Sequence, residues 1–261
     1  MNNIILYSKL IFISLRSQME YKLSFIYMTV GNFIVTFIEF IALYALFYRF
    51  GNISGWTLYE VAVFYGVVNT SFAIEEFFGR GYDIFPKYIR SGFFDRILLR
   101  PRSIALQILG TEVQLMRIGR LAQGLLVMLW GLGHLNINIG IYEILLLLIA
   151  ILGGVGFFAG LFVIQATISF WSIQSLEIVN SFTYGGVQTA QYPITIYKKW
   201  FRNIFIYVIP TASVSYFPLV SLLRGENRIL GFLSPFAGIL FFFITLLIFR
   251  IGLRYYSSTG S

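Results

Sequence analysis

The chain has no cysteine and a single histidine, His134. The first absence excludes disulfides, thiolate metal sites and cysteine nucleophiles. The second leaves no Ser-His-Asp set beyond that one ring and no HExxH zinc motif. No lysine is followed by Ser or Thr, so the GxxxxGK[ST] phosphate-binding loop is missing too. Charge is scarce, at 11% of residues against about 25% in ordinary soluble domains. The expectations that follow are no catalytic residues, no metal site and no covalent chemistry by this chain alone. Uphill work would draw on a partner or an ion gradient.

What is abundant is apolar. Hydrophobic residues make up 58% of the 261, in blocks longer than the roughly 20 residues that cross a bilayer. A β-barrel would show short alternating strands instead. The expected class is an all-α polytopic membrane protein, one transmembrane domain over residues 1–261. Residues 1–21 lack a small-residue cleavage site and carry Lys9, Arg16 and Glu20, which does not read as a cleavable signal. The net charge of +8 lies mainly in membrane-flanking loops. Anionic lipid headgroups and topology account for it without nucleic acid.

Taken in order, residues 1–21 read as an interfacial helix, with Lys9, Arg16 and Glu20 on one face and Ile4, Ile11, Leu15 and Met19 on another. The other reading is a plain extension of the first span. Spans are expected over residues 22–48, 56–79, 103–132 and 141–170, the third as one long helix. Glu39 inside the first span should face other helices rather than lipid. Glu75 and Glu76 close the second span beside Arg80; the pair reads as solvated or salt-bridged more readily than as an acid/base site. Glu112 and Arg120 share a face of the third helix, with Arg117 nearby. His134 falls in a loop. Gly156 and Gly160 form a small-xxx-small step, for ordinary packing or for a dimer seam.

Residues 171–223 admit two layouts. Hydropathy and Lys198, Lys199 and Arg202 favour a span over 201–223, interrupted by Pro210 and Pro218. A polar span over 174–191 can cross instead if it faces the bundle or a wet cleft. Gln174, Asn180, Ser181, Thr183 and Gln188 would then be lining residues, or simply interhelical hydrogen-bond partners. Residues 231–251 form the last span. Either layout gives six transmembrane helices with both termini on the side of the charged 80–102 loop.

The charged loop is the organising stretch. Residues 82–103, YDIFPKYIRSGFFDRILLRPRS, hold five cations against Asp83 and Asp95. Pro86 can sit in the first turn of a short helix that Gly92 closes, and a second helix over 93–99 would stop before Pro101. The local readings are an amphipathic elbow over 82–102 or an ordinary positive-inside loop. Its GFFDRILLRPRS resembles the cytoplasmic elbow of type-2 ABC exporter permeases, whose pattern is roughly G-F-D-x-L-L-x-R-P-x-S. Gly92, Phe94, Asp95, Leu98, Leu99, Arg100, Pro101 and Ser103 match it, with one residue of difference in spacing. The YPITIYKKW…IPTASVSYFPLVSLL region and the ending GLRYYSSTGS resemble that family as well.

The resemblance implies a permease subunit of an ATP-binding cassette exporter in the bacterial cytoplasmic membrane, with both termini cytoplasmic. It implies pairing with a second permease, related or identical, and separate ABC ATPase subunits that use the ATP and Mg; this chain binds no cofactor. The elbow becomes a coupling helix, with Phe93 and Phe94 as apolar anchors, Arg90, Asp95 and Arg96 around them, and Gly92 among the coupling residues. The fifth helix becomes 174–191, and 192–228 becomes re-entrant. Glu39 joins Gln174, Asn180, Ser181, Thr183 and Gln188 as a candidate for the translocation path. An ion-coupled secondary transporter or channel is the other transport reading, and would rest on Glu39 and the Pro210 region. A non-transporting membrane scaffold is the third.

Overall fold

A computed structural model describes residues 3–171, 176–207 and 209–257. Among these, every regular element is helical. Helix α1 (Asn3–Met19) leads into α2 (Lys22–Phe50), which ends where Gly51 turns to φ 73°. Helix α3 (Leu58–Asp83) starts at a capping box: the Thr57 side chain accepts from the Glu60 N–H, and Glu60 accepts from the Thr57 N–H. The chain then makes two single-turn helices, α4 (Phe85–Arg90) and α5 (Phe93–Leu98), and a third, α6 (Ile104–Leu109). Helices α7 (Ile118–His134) and α8 (Ile141–Ile168) follow, then α9 (Leu176–Ala190). Four short pieces come next: α10 (Lys199–Tyr207), α11 (Thr211–Val214), α12 (Tyr216–Arg224) and α13 (Arg228–Leu233). Helix α14 (Phe236–Gly252) closes the bundle.

Five helical stretches are long and apolar enough to cross a membrane, or six if the bent pair α10 with α11–α12 counts as one. The protein is thus an all-α, multi-pass membrane protein. Helix α3 is the hub, buried nearly all round against α7, α8, α9 and α6. Its approach to α7 is close because Gly66, Gly124 and Gly131 carry no side chain. Helices α8 and α14 meet backbone to backbone: a Cβ on Gly238 would stand 2.2 Å from the Gly153 carbonyl oxygen, and one on Gly156 3.0 Å from the Ile239 Cα. The glycines at 153, 156 and 160 are therefore filled by α14 of the same chain, which removes the dimer-seam reading of Gly156 and Gly160.

The third span departs from the single helix expected over 103–132. Helix α6 stops at Gly110, and a 3-10 turn at Leu115–Arg117 restarts the chain into α7. Gly81 explains the detour, since its Cα lies so close to the Ile108 carbonyl that a Cβ would reach to 1.8 Å. Helix α6 is pinned across α3 and cannot run on collinearly into α7. Helix α1 is seated by one stripe: Tyr7 donates to the Phe78 carbonyl, Leu10 covers Gly110, and Ser14 and Gln18 donate to the Val113 carbonyl. The expected apolar face is not the one that docks; Met19 is exposed and Ile11 and Leu15 are half-buried.

Both ends of the bent segment lie at the Trp56 end of the bundle, opposite α4 and α5. The Trp56 indole donates to Thr195 at 2.9 Å. Arg224 donates to the Gly55 carbonyl, stacks on Trp56 at 3.6 Å and pairs with Glu60. Between these points α10 and α11–α12 are bent by 73°. A straight span over 201–223 would have carried Arg224 to the opposite end.

Candidate functional site: the elbow and the charged base of the bundle

Pro86 occupies the first turn of α4, and Gly92, at φ 66°, supplies the left-handed residue that joins α4 to α5. In a helix of six residues the inward face holds few side chains. In α5 these are Phe94 and Ile97, both buried. Phe94 meets Phe85 and Tyr256 edge-on, each at 4.8 Å, and lies 5.9 Å from Phe170. Phe85 in turn packs on Phe170 and on Phe249. The elbow is thereby rooted in rings at the ends of α8 and α14, and Phe249 in turn meets Tyr82 of α3 edge-on at 5.7 Å. The Tyr256 hydroxyl also donates to Asp95 at 3.0 Å. Burial first, and the Asp95 carboxylate second, raise that hydroxyl to about 12, so it remains a donor at neutral pH.

This corrects the expectation for Phe94. Fully enclosed by its own chain, it cannot anchor a partner, and Phe93 is half-buried against Tyr88. The outward apolar residues are Leu98 and Leu99, 41% and 86% exposed. Lys87, Arg90, Arg96 and Arg100 are exposed around them. Asp95 is partly buried on the inner side, toward Tyr256.

Above the elbow, Glu76 is the centre of a buried ion network. Its carboxylate takes Arg117 and Arg120 at 3.1 Å each and Arg80 at 3.5 Å. Arg80 also pairs with Asp83 and donates to the Tyr184 hydroxyl at 3.3 Å. Arg117 donates to Asn32 and Gln114, and Arg120 lies over the Phe72 ring. One carboxylate therefore ties α2, α3, α7 and α9 together. Glu75, beside it, is buried with both carboxyl oxygens lacking a hydrogen-bond partner. The pair is paired in one half and solvated in neither. Glu112 lies in the α6–α7 detour and accepts from Gln114 instead of serving Arg120. His134 ends α7, stacked on Tyr59 at 4.7 Å.

The lining residues expected on the fifth helix separate. Gln174 lies outside the described residues, as does the side chain of Asn180. Ser181 and Gln188 share an exposed stripe of α9 with Tyr184, while Thr183 is turned inward and buried. That inward position does not fit a lining role for Thr183. Over its described residues α9 has 15 residues, about 22 Å at helical rise against a hydrocarbon core of about 30 Å. Glu39 lies at the edge of the packed face of α2. Helix α2 packs through Thr36, Phe40, Leu43 and Phe47, and Glu39 falls beside that stripe and is exposed. Tyr65 of α3 and Tyr192 are within its electrostatic reach.

The Arg117 and Arg120 contacts of Glu76 and the outward position of Leu98 and Leu99 carried no signal in spacing. The apolar pair i, i+3 of Phe94 and Ile97 was the one available clue to which face of α5 turns in.

Comparison with known proteins agrees with this architecture. No curated protein and no solved structure matches the chain. The family described as ABC-2 family transporter protein matches over residues 33–260, from the middle of α2 through α14 and the ending. The chain belongs to the ABC-2 transporter family, as a membrane permease component of an ABC transporter.

Proposed function

We propose that this chain is one of two permeases in an ATP-driven exporter of a bacterial cytoplasmic membrane. The second permease is a related subunit or another copy. Separate ABC ATPase subunits bind ATP and Mg and hydrolyse it, and the elbow α4–α5 rests in their surface on the cytoplasmic side, with both termini. The observation that supports this most directly is the build of the elbow. Its outward surface presents Leu98 and Leu99 within a rim of Lys87, Arg90, Arg96 and Arg100, and its inward surface is fixed to three span ends by Phe85 and Phe94. A small apolar centre in a charged rim is the anatomy of a docking patch. Closure of the ATPases would move α4 and α5 as one piece with the ends of α3, α8 and α14.

The substrate path in this reading runs between the exposed flank of α2 that carries Glu39 and the Ser181–Tyr184–Gln188 stripe of α9. The α10–α12 segment closes it from the outer side as a re-entrant pair. The test is purification of the tagged chain from its native membrane in mild detergent, with identification of the co-purifying chains and an ATPase assay. A stoichiometric ATPase is the expected result. A homogeneous chain with no ATPase across several gentle detergents would overturn the exporter reading.

A further inference from the structure

Beside the elbow, where α3 runs into α4, a cavity of about 280 Å³ opens between α3, α4, α8 and α9. It lies just below the roughly 300–1,000 Å³ of drug-sized ligand sites, which is room for a headgroup but not for a whole ligand. Its polar lining is Arg80, Asp83, Lys87, Arg90, Gln165 and Tyr184. Asp83 is neutralised where it stands, with one oxygen on Arg80 and the other accepting from Gln165 at 3.0 Å. Lys87 and Arg90 are exposed at the cavity and form no ion pair among the described residues. The lining therefore carries a surplus of two positive charges.

The inner wall has unused hydrogen-bonding capacity. Arg80 donates to the Tyr184 oxygen, which leaves the tyrosine O–H free to donate onward. The Arg80 Nε–H is buried with no partner, and so is the Gln165 Oε1. Buried polar atoms left unpaired in a folded chain are costly, and a bound group is one of the ways they become satisfied. Two cations and two free donors call for an oxyanion with several acceptor atoms. The lone acceptor on Gln165 calls for a hydroxyl on the same ligand.

From this arrangement we infer that the cavity is a binding site for a phosphate group, as borne by the hydroxylated headgroup of an anionic glycerophospholipid. Basic clefts between membrane helices at a membrane surface suit such headgroups. The site shares Lys87 and Arg90 with the rim of the Leu98–Leu99 patch, but its inner wall of Arg80, Gln165 and Tyr184 lies apart from that patch and does not require an ATPase partner. Occupancy would brace α9 against α3 through Tyr184 and Arg80.

The probes are phosphatidylglycerol, phosphatidylcholine and inorganic phosphate. Each is added to the delipidated full-length permease in detergent, without ATPase. Occupancy is read by native mass spectrometry and by the shift in thermal unfolding. Phosphatidylglycerol is expected to bind in preference to phosphatidylcholine. Lys87→Ala with Arg90→Ala should weaken it by about fivefold for each cation removed, and Tyr184→Phe by less. Both cations are exposed and form no ion pair among the described residues, so the double variant keeps the fold; circular dichroism verifies that. Arg96→Ala removes an elbow cation that does not line the cavity and should leave binding intact. If phosphatidylglycerol binds and inorganic phosphate fails to displace it, the bilayer is the source. If inorganic phosphate binds alone and the lipid adds nothing, the source is soluble phosphate at the same site. Equal retention of both lipids with no phosphate binding would overturn the site. So would an equal loss in Arg96→Ala, which would mark diffuse surface charge.

Discussion

Replacing Leu98 and Leu99 together by serine separates docking from folding at the elbow. The two side chains are 41% and 86% exposed, so together they present a little more than one whole leucine to a partner. Burying a leucine is worth about 1.5–3 kcal/mol, which makes the pair worth about 2–4 kcal/mol on a fully enclosing surface. At about 1.4 kcal/mol per decade, that is a thirtyfold to several-hundredfold loss of affinity for the ATPase. The permease itself should be unharmed, because neither side chain is buried in its own chain. The assay is titration of purified ATPase onto the permease in lipid nanodiscs, with thermal unfolding measured in parallel. Phe94→Ala is the counterpart. It empties a fully enclosed ring site among Phe85, Phe170 and Tyr256 and should cost about 3–5 kcal/mol of fold stability. Affinity within threefold of wild type for the double serine variant would refute the docking assignment.

Four further outcomes are expected. Glu76→Gln strips three arginines of their shared carboxylate and should destabilise by about 3–5 kcal/mol, seen as a lower unfolding temperature; Glu75→Gln replaces a buried carboxyl group that has no hydrogen-bond partner and should be neutral or stabilising. Gly238→Val drives a side chain into the Gly153 carbonyl and should abolish stable expression, whereas Gly31→Ala, with nothing within 4 Å of the added carbon, should not. Lys199→Cys, the only thiol in the variant, should react with an impermeant maleimide from outside the cell; reaction only after permeabilisation would refute the re-entrant layout. Tyr256→Phe loses the bond to Asp95 and should raise proteolytic cleavage of the 91–103 segment several-fold, with the membrane helices intact.

Long apolar runs made the membrane class and most helices legible, because burial in lipid demands length and apolarity and little else. The two-turn elbow was legible from Pro86, Gly92 and Pro101, whose backbone constraints act locally. What could not be read were contacts between distant segments. The break at Gly110 depends on Gly81 pressing against Ile108, 27 positions away. The burial of Phe94 depends on Phe170 and Tyr256, which no spacing within a six-residue helix announces. Glu75 and Glu76 read as solvated or salt-bridged beside Arg80, and Glu76 does pair with Arg80; what spacing could not show is that Arg117 of the 3-10 turn and Arg120 of α7 join it. The exposed position of Glu39 follows from α2 packing on a narrow stripe. The division of α9 into an exposed Ser181–Gln188 side and a buried Thr183 side is likewise set by what flanks it.

The ring cluster under the elbow has a mechanical consequence. Interdigitated aromatic rings at crystal-like density have almost no slack. Phe85 and Phe94 therefore behave as a stiff joint, with no spring in it. A displacement imposed on the elbow would be passed through these rings to Phe170 and Phe249, and so to the ends of α8 and α14 as well as to α3. Helix α2 packs mainly on α7 and the 3-10 turn at Leu115–Arg117, and it meets α3 where the Tyr65 hydroxyl donates to the Thr36 carbonyl and Phe40 lies against the Tyr65 ring. It contributes no ring to the cluster under the elbow, and its ties to α3 are the Tyr65–Thr36 bond and the ion network at Glu76 reached through Asn32 and Arg117.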